Sequence, residues 1–165
     1  MMITLTGFMG SGKTTVGKVL ADFLGCPFLD LDDLVVKKAG KSIPDIFAQD
    51  GEPAFRELEA KLLRQTVGKY AESTAVLALG GGAILAPASA ALLRDKTVCI
   101  YLRATLDTLL ARLEGETAGR PLADASLAAR LAARAPLYEE TAHVTIDTDG
   151  LSPDEVADEI IISAL

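Results

Sequence analysis

The stretch "TLTGFMGSGKTT", residues 4–15, restricts this chain more than any other. Gly7, Gly12, Lys13 and Thr14 stand in the spacing G-x-x-x-x-G-K-T. A short apolar strand over residues 2–6 leads into the loop, and a helix is expected from about Lys13. In that setting the backbone N–H groups of residues 8–15, including Gly10, Ser11, Gly12 and Thr15, wrap a phosphate. The positive end of the helix adds to the attraction. Lys13 reaches the β- and γ-phosphates of a nucleotide, and Thr14 offers its hydroxyl to Mg²⁺.

The rest of the chain alternates in the same way. Apolar strands are expected at "PFLDLD", "AVLAL" (75–79), "TVCIYL" (97–102) and "HVTID" (143–147). Between them lie helical patterns, such as Val16, Val19, Leu20, Phe23 and Leu24 before Gly25, or Phe55, Leu58, Leu62 and Leu63 after Pro53. A helix opened by Thr105 is expected to close at Gly115, and another runs from about Ser126 past Arg134. Ser42 with Asp45, and Ser152-Pro153-Asp154-Glu155, carry helix-capping signals. Five short strands alternating with helices predict an α/β fold, a parallel sheet covered on both faces, in one domain of 165 residues. Ligands in such sheets sit beyond the carboxyl ends of the strands. The glycine loop, the Asp30/Asp32 pair and the Gly80–Gly82 run should therefore meet at one edge.

A net charge of −7 disfavours nucleic acid and anionic membranes as partners, and requires cations to be gathered locally if the ligands are anions. No apolar run approaches the ~18 residues of a membrane span. The N-terminus lacks a basic region before its apolar residues, so a cytoplasmic protein is expected. Cys26 and Cys99 are read as buried free thiols, and His143 is given no catalytic role.

A phosphate loop serves switches, motors and kinases alike. The guanine-reading N-K-x-D is absent, and "DTDG" (147–150) falls too late in the chain for a switch element. Asp30 and Asp32, two apart on one expected strand, point the same way. They could cap the next helix, as Asp33 also could. Alternatively, one anchors the water shell of Mg²⁺ while the other orients an acceptor hydroxyl and takes its proton. Arg56 could simply pair with Glu52, and Arg130 and Arg134 could be solvated. Together with Arg120 and Lys13 they form a set of cations able to grip carboxylates and phosphates. Tyr138 is assigned nothing.

The stretches "GFMGSGKTTVGK", "FLDLDD", "SIPDIFAQDGEPAFRELE", "LALGGGAI", "RPL" and "RAPLYEE" resemble the shikimate kinase family in order and spacing along essentially the whole chain. The resemblance implies a P-loop kinase of the nucleoside-monophosphate-kinase type, with a five-stranded parallel sheet and a mobile lid at about 114–125. The substrate-binding helices would span about 33–62. It implies phosphorylation of the 3-hydroxyl of shikimate by ATP with Mg²⁺, in aromatic amino-acid biosynthesis. Carried across, Asp32 meets the substrate hydroxyls and Asp30 lies near the Mg²⁺ waters. Arg56 and Arg134 resemble the carboxylate clamp, and Gly80, Gly81 and Gly82 the backbone wall. Arg120 resembles the lid arginine over the phosphates, and Phe47 and Phe55 line the pocket.

Two departures stand out. Ala78 replaces a residue that is often polar near the metal waters. "DTDGLS" has no cation near the adenine, which leaves Arg112 and backbone to hold it. A gluconokinase-like enzyme of the same fold is the nearest alternative, and a non-catalytic nucleotide switch the more distant one. A monomer is expected, on the absence of an unexplained apolar surface helix.

Overall fold

The computed structural model describes residues 1–116 and 125–165. Arg120 and most of the expected lid, residues 117–124, lie outside the described residues. The sheet strands are β1 (Met2–Thr6), β2 (Phe28–Asp30), β3 (Ala75–Ala78), β4 (Val98–Arg103) and β5 (Val144–Asp147). They lie in the order β2-β3-β1-β4-β5, and every pairing is parallel. All of β1 and β3 is buried, which is why both read as unbroken apolar runs rather than alternating ones.

The helices are α1 (Lys13–Leu24), α2 (Leu31–Ala39), α3 (Ile43–Gln49), α4 (Glu52–Lys69), α5 (Pro87–Lys96), α6 (Leu106–Glu116), α7 (Ala125–Thr141) and α8 (Pro153–Ala164), with a 3-10 turn at Ala83–Leu85. On one face α1 and α8 bury Val16, Leu20, Val156 and Ile160 against Ile3, Leu5, Ile100 and Leu102. On the other, Met2, Leu77, Cys99 and Tyr101 meet Leu63, Leu93, Leu109 and Tyr138. The capping signals act locally as expected. Ser42 Oγ accepts from the Asp45 amide, and Ser152 and Glu155 form a reciprocal capping box.

Several expectations need correcting. The strand at "PFLDLD" stops at Asp30, so Asp32 belongs to α2 and does not share a strand face with Asp30. The cause is the Asp30 side chain. Its Oδ1 accepts from the Asp32 amide at 2.9 Å and starts the helix there. The α6 helix continues to Glu116, one residue beyond Gly115. Cys99 is buried, but Cys26 only partly. Phe23 on α1 and Ile162 on α8 are 68% and 78% exposed, so the helical surface is not free of apolar residues. Among the described residues, no helix is long and apolar enough to cross a membrane.

Candidate active site

The glycine loop joins β1 to α1 at the carboxyl edge of the sheet. Gly12 caps α1 with φ +94°, a left-handed conformation that side chains oppose. Lys13 turns back into the loop and donates to the carbonyls of Gly7 (2.7 Å) and Phe8 (3.1 Å). Burial pulls its ammonium down from 10.5 to about 8, with Arg134 contributing, against the opposing pull of Asp32 and Asp30. At the second position of α1, the Thr14 hydroxyl donates to Asp30 Oδ2 at 3.0 Å. Asp30 therefore has two engagements, its other oxygen capping α2. The expected cap on α2 is made by Asp30, and the same side chain meets Thr14.

Beside the loop, a cavity of about 210 Å³ is bounded by Gly10, Gly12, Thr15, Arg112, Thr148 and Pro153. Arg112 reaches across it to donate to the Gly10 carbonyl (3.2 Å) and to the carbonyl and hydroxyl of Thr148 (both 3.4 Å). The stretch after the last strand, which has no cation of its own, thus receives one from α6. Ala78 is buried in β3, 2% exposed.

A second cleft has a volume of about 270 Å³. Met9, Asp32, Ile43, Phe47, Phe55, Arg56, Glu59, Gly80–Gly82, Arg130 and Arg134 line it. Positions from the first loop to the seventh helix are thus brought into one wall. Phe47 and Phe55 stack at 5.0 Å, and the Arg56 guanidinium lies 5.1 Å over the Phe55 ring. Arg134 lies 5.9 Å over Phe8.

The glycine run is shaped to the side chains around it. A Cβ on Gly80 would stand 2.9 Å from Asp32 Oδ1 and 3.1 Å from Glu59 Oε2. One on Gly82 would stand 2.6 Å from the Arg56 Cζ. Each of those glycines therefore leaves room for a charged group of the cleft, and no larger residue fits without moving it.

Sequence reasoning gave Glu59 and Tyr138 no role. Glu59 lies one turn beyond Arg56 and pairs with it at 2.9 Å, much closer than the 3.6 Å to Glu52. It is 3% exposed, and its Oε2 has no hydrogen-bond partner among the described residues. Burial raises its carboxyl, against the pull of Arg56. Burial likewise raises Asp32, with Asp30 adding to the effect, while Lys13 and Arg56 oppose it. Tyr138, fully buried against Tyr101, donates to the Gly81 carbonyl at 2.5 Å and fixes the glycine run. Its phenol is pushed up to about 12 by burial. The i,i+3 spacing of Arg56 and Glu59 was the available signal for that pair; nothing in the sequence tied Tyr138 to Gly81.

His143 is engaged structurally. Its Nδ1 accepts from the Cys99 amide at 3.0 Å, and its Nε2 faces the Arg94 carbonyl at 2.9 Å.

Comparison with known proteins gives the same answer from several directions. The family model "Shikimate kinase" matches residues 9–164. A shikimate kinase of Enterococcus faecalis is 44% identical over 164 residues, 96% of this chain and 95% of that protein. The structure of shikimate kinase from Acinetobacter baumannii in complex with shikimate superposes with a TM-score of 0.85 at 35% identity, covering 97% of this chain and 90% of that one. The enzyme from Bacteroides thetaiotaomicron gives 0.88 at 28% identity, covering 99% and 98%. With its five-stranded parallel P-loop kinase fold, this chain belongs to the shikimate kinase family of small-molecule kinases.

Proposed function

We propose that this chain transfers the γ-phosphoryl group of ATP to the 3-hydroxyl of shikimate, and that the two cavities divide the task. Support for this reading comes above all from Asp32, Arg56 and Arg134 opening into one cleft beside Lys13. Adenine would lie between Arg112 and Pro153, where a guanidinium and an apolar ring face one cavity. The triphosphate would follow the loop past Ser11, whose buried hydroxyl has no partner among the described residues. Arg56 and Arg134 would fork the substrate carboxylate. Glu59 keeps the Arg56 fork aimed, and the ring pair Phe47–Phe55 floors the cleft.

With the carboxylate fixed, the acceptor hydroxyl is held toward Asp32. The O–P bond to the γ-phosphorus forms as the bond to the bridging β,γ-oxygen breaks. Asp32 takes the hydroxyl proton, a step aided by a carboxyl held above its usual range. Lys13 exchanges its loop carbonyls for phosphate oxygens, and the negative charge there favours its protonated form.

The adjacent hydroxyl and carboxylate of Thr14 and Asp30 suit Mg²⁺, which takes few protein ligands and keeps waters and phosphate oxygens. When bound, the ion would neutralise charge on the β- and γ-phosphates. Arg120, beyond the described residues, would add a cation over the transferring group, and residues 114–125 would close to exclude water. The net charge of −7 and two free thiols fit a cytoplasmic protein that handles small molecules rather than nucleic acid.

Coupled ADP release with shikimate, gluconate, a nucleoside monophosphate or no acceptor tests this reading. Turnover should depend on shikimate. Equal turnover with gluconate, or ADP release without any acceptor, would overturn it.

A further inference from the structure

The helix α7 carries two arginines toward the cleft, and their surroundings differ. Leu127, Leu131 and Tyr138 pack inward from this helix. Ala129, Ala132, Ala133, Pro136 and Leu137 are exposed. Arg130 falls on the inward stripe, three residues after Leu127 and four before Arg134. It is half-buried and lines the cleft. A solvated arginine would instead project from the outward stripe. Arg134 lies level with Phe8 and Gly81. Four residues of helix rise about 6 Å, so Arg130 lines the cleft about one turn of α7 away from Arg134.

The charges around the cleft do not cancel locally. Arg56 is matched by Glu59 at 2.9 Å. Asp32 lies in the field of Lys13 and Arg56. Among the described residues, no carboxylate pairs with Arg130 or Arg134. Two like charges one turn apart on a helix repel each other. That cost is offset when an anion enters between them. The acceptor brings one carboxylate, and Arg134 with Arg56 already awaits it. In a protein of net charge −7, an anion approaching from solvent is repelled by the molecule as a whole. A cation lining the cleft is where that repulsion can be reversed.

We propose that Arg130 is a substrate-capture and specificity residue. It draws the acceptor's carboxylate into the cleft and hands it on to Arg134 and Arg56, favouring acids over neutral polyols. This rests on the reading that the cleft receives shikimate. Its main contribution is to the encounter, so it should appear in kcat/KM for the acceptor and in the salt dependence of that constant. The KM for ATP should be untouched.

The experiment compares Arg130→Ala, Arg130→Lys and, as a charge control, Arg64→Ala, whose arginine is exposed on α4. Arg130→Ala should lower kcat/KM for shikimate about tenfold, the lower end of electrostatic steering effects. Its loss should shrink as salt is raised, with a smaller change in kcat and the same Tm. Arg130→Lys should recover part of the loss, and Arg64→Ala should cause little. With the carboxamide of shikimate as acceptor, wild type and Arg130→Ala should be equal.

Several results would each overturn the proposal. These are an unchanged kcat/KM, an equal loss in Arg64→Ala, an equal loss with the carboxamide, or a change confined to the KM for ATP. A wild type that ignores shikimate would instead defeat the functional reading beneath it.

Discussion

The two halves of this site are built on different principles. The phosphate-holding part of the nucleotide side is one continuous segment, Gly7 to Thr15, whose donors are mostly backbone amides held by glycine conformations and a helix start. The acceptor side comes from separate elements, with Asp32 on α2, Arg56 and Glu59 on α4, the glycine run after β3, and Arg130 and Arg134 on α7. Its groups are charges, Glu59 buried and the others half-buried, and two carboxyls stand above their usual range. A backbone cradle binds a fixed charge pattern and tolerates change in many side chains. A ring of side-chain charges gives chemistry and selectivity, at a cost in stability that the rest of the fold must offset.

Asp32→Asn should expose that difference most sharply. Loss of the proton acceptor should lower kcat about 10²–10⁴-fold, while ATP binding is kept. The same change should raise Tm. Burial lifts the Asp32 carboxyl above its ordinary 3.8. Its favourable contribution is therefore present below that value and lost as pH rises through the folded value. The gain from Asn should be greatest at neutral pH and fade as pH falls toward about 4. A variant that stays active, or loses stability at pH 7, would break the contrast.

Glu59→Gln removes the charge beneath Arg56 and keeps its size. The KM for shikimate should rise about threefold to tenfold as the ion pair becomes a hydrogen bond from Arg56 to a neutral acceptor, with the KM for ATP unchanged. Equal shifts in both constants would mean that the two halves are not separable.

The smallest effect concerns Lys13. Its ammonium lies near 8 instead of 10.5, so its contribution to folding is full above 10.5 and lost as pH falls through 8. Nucleotide binding should restore the charged form. Calorimetry at pH 8 in buffers of different ionisation enthalpy should then show about half a proton taken up per ATP, falling to about a tenth at pH 7. No uptake would show that the loop carbonyls already hold the ammonium charged.

The sequence was least legible where two uses of one residue coexist. Asp30 and Asp32 read as a strand pair, because alternation in "FLDLD" looks the same whether or not the chain continues extended. The cap formed by Asp30 ends the strand and turns Asp32 into a helix residue. Even so, Asp32 reaches the cleft, because α2 begins at the sheet edge where the loop also ends. Gly80–Gly82 could be anticipated as a backbone wall. Their need to make room for Asp32, Glu59 and Arg56 could not be, since those neighbours lie more than twenty residues away in the chain.

The letters alone determined what is local: the phosphate loop with its strand and helix, the serine helix caps, and the α/β alternation. Each depends on backbone preferences over a few residues. Tertiary structure decided which side chains face one another. It paired Glu59 with Arg56 and tied Tyr138 to Gly81, two charged or polar groups that packing has taken out of water. It also turned Arg130 inward and carried Arg112 to the loop after the last strand. Burial and proximity set those charges and their protonation, and both depend on how distant segments pack.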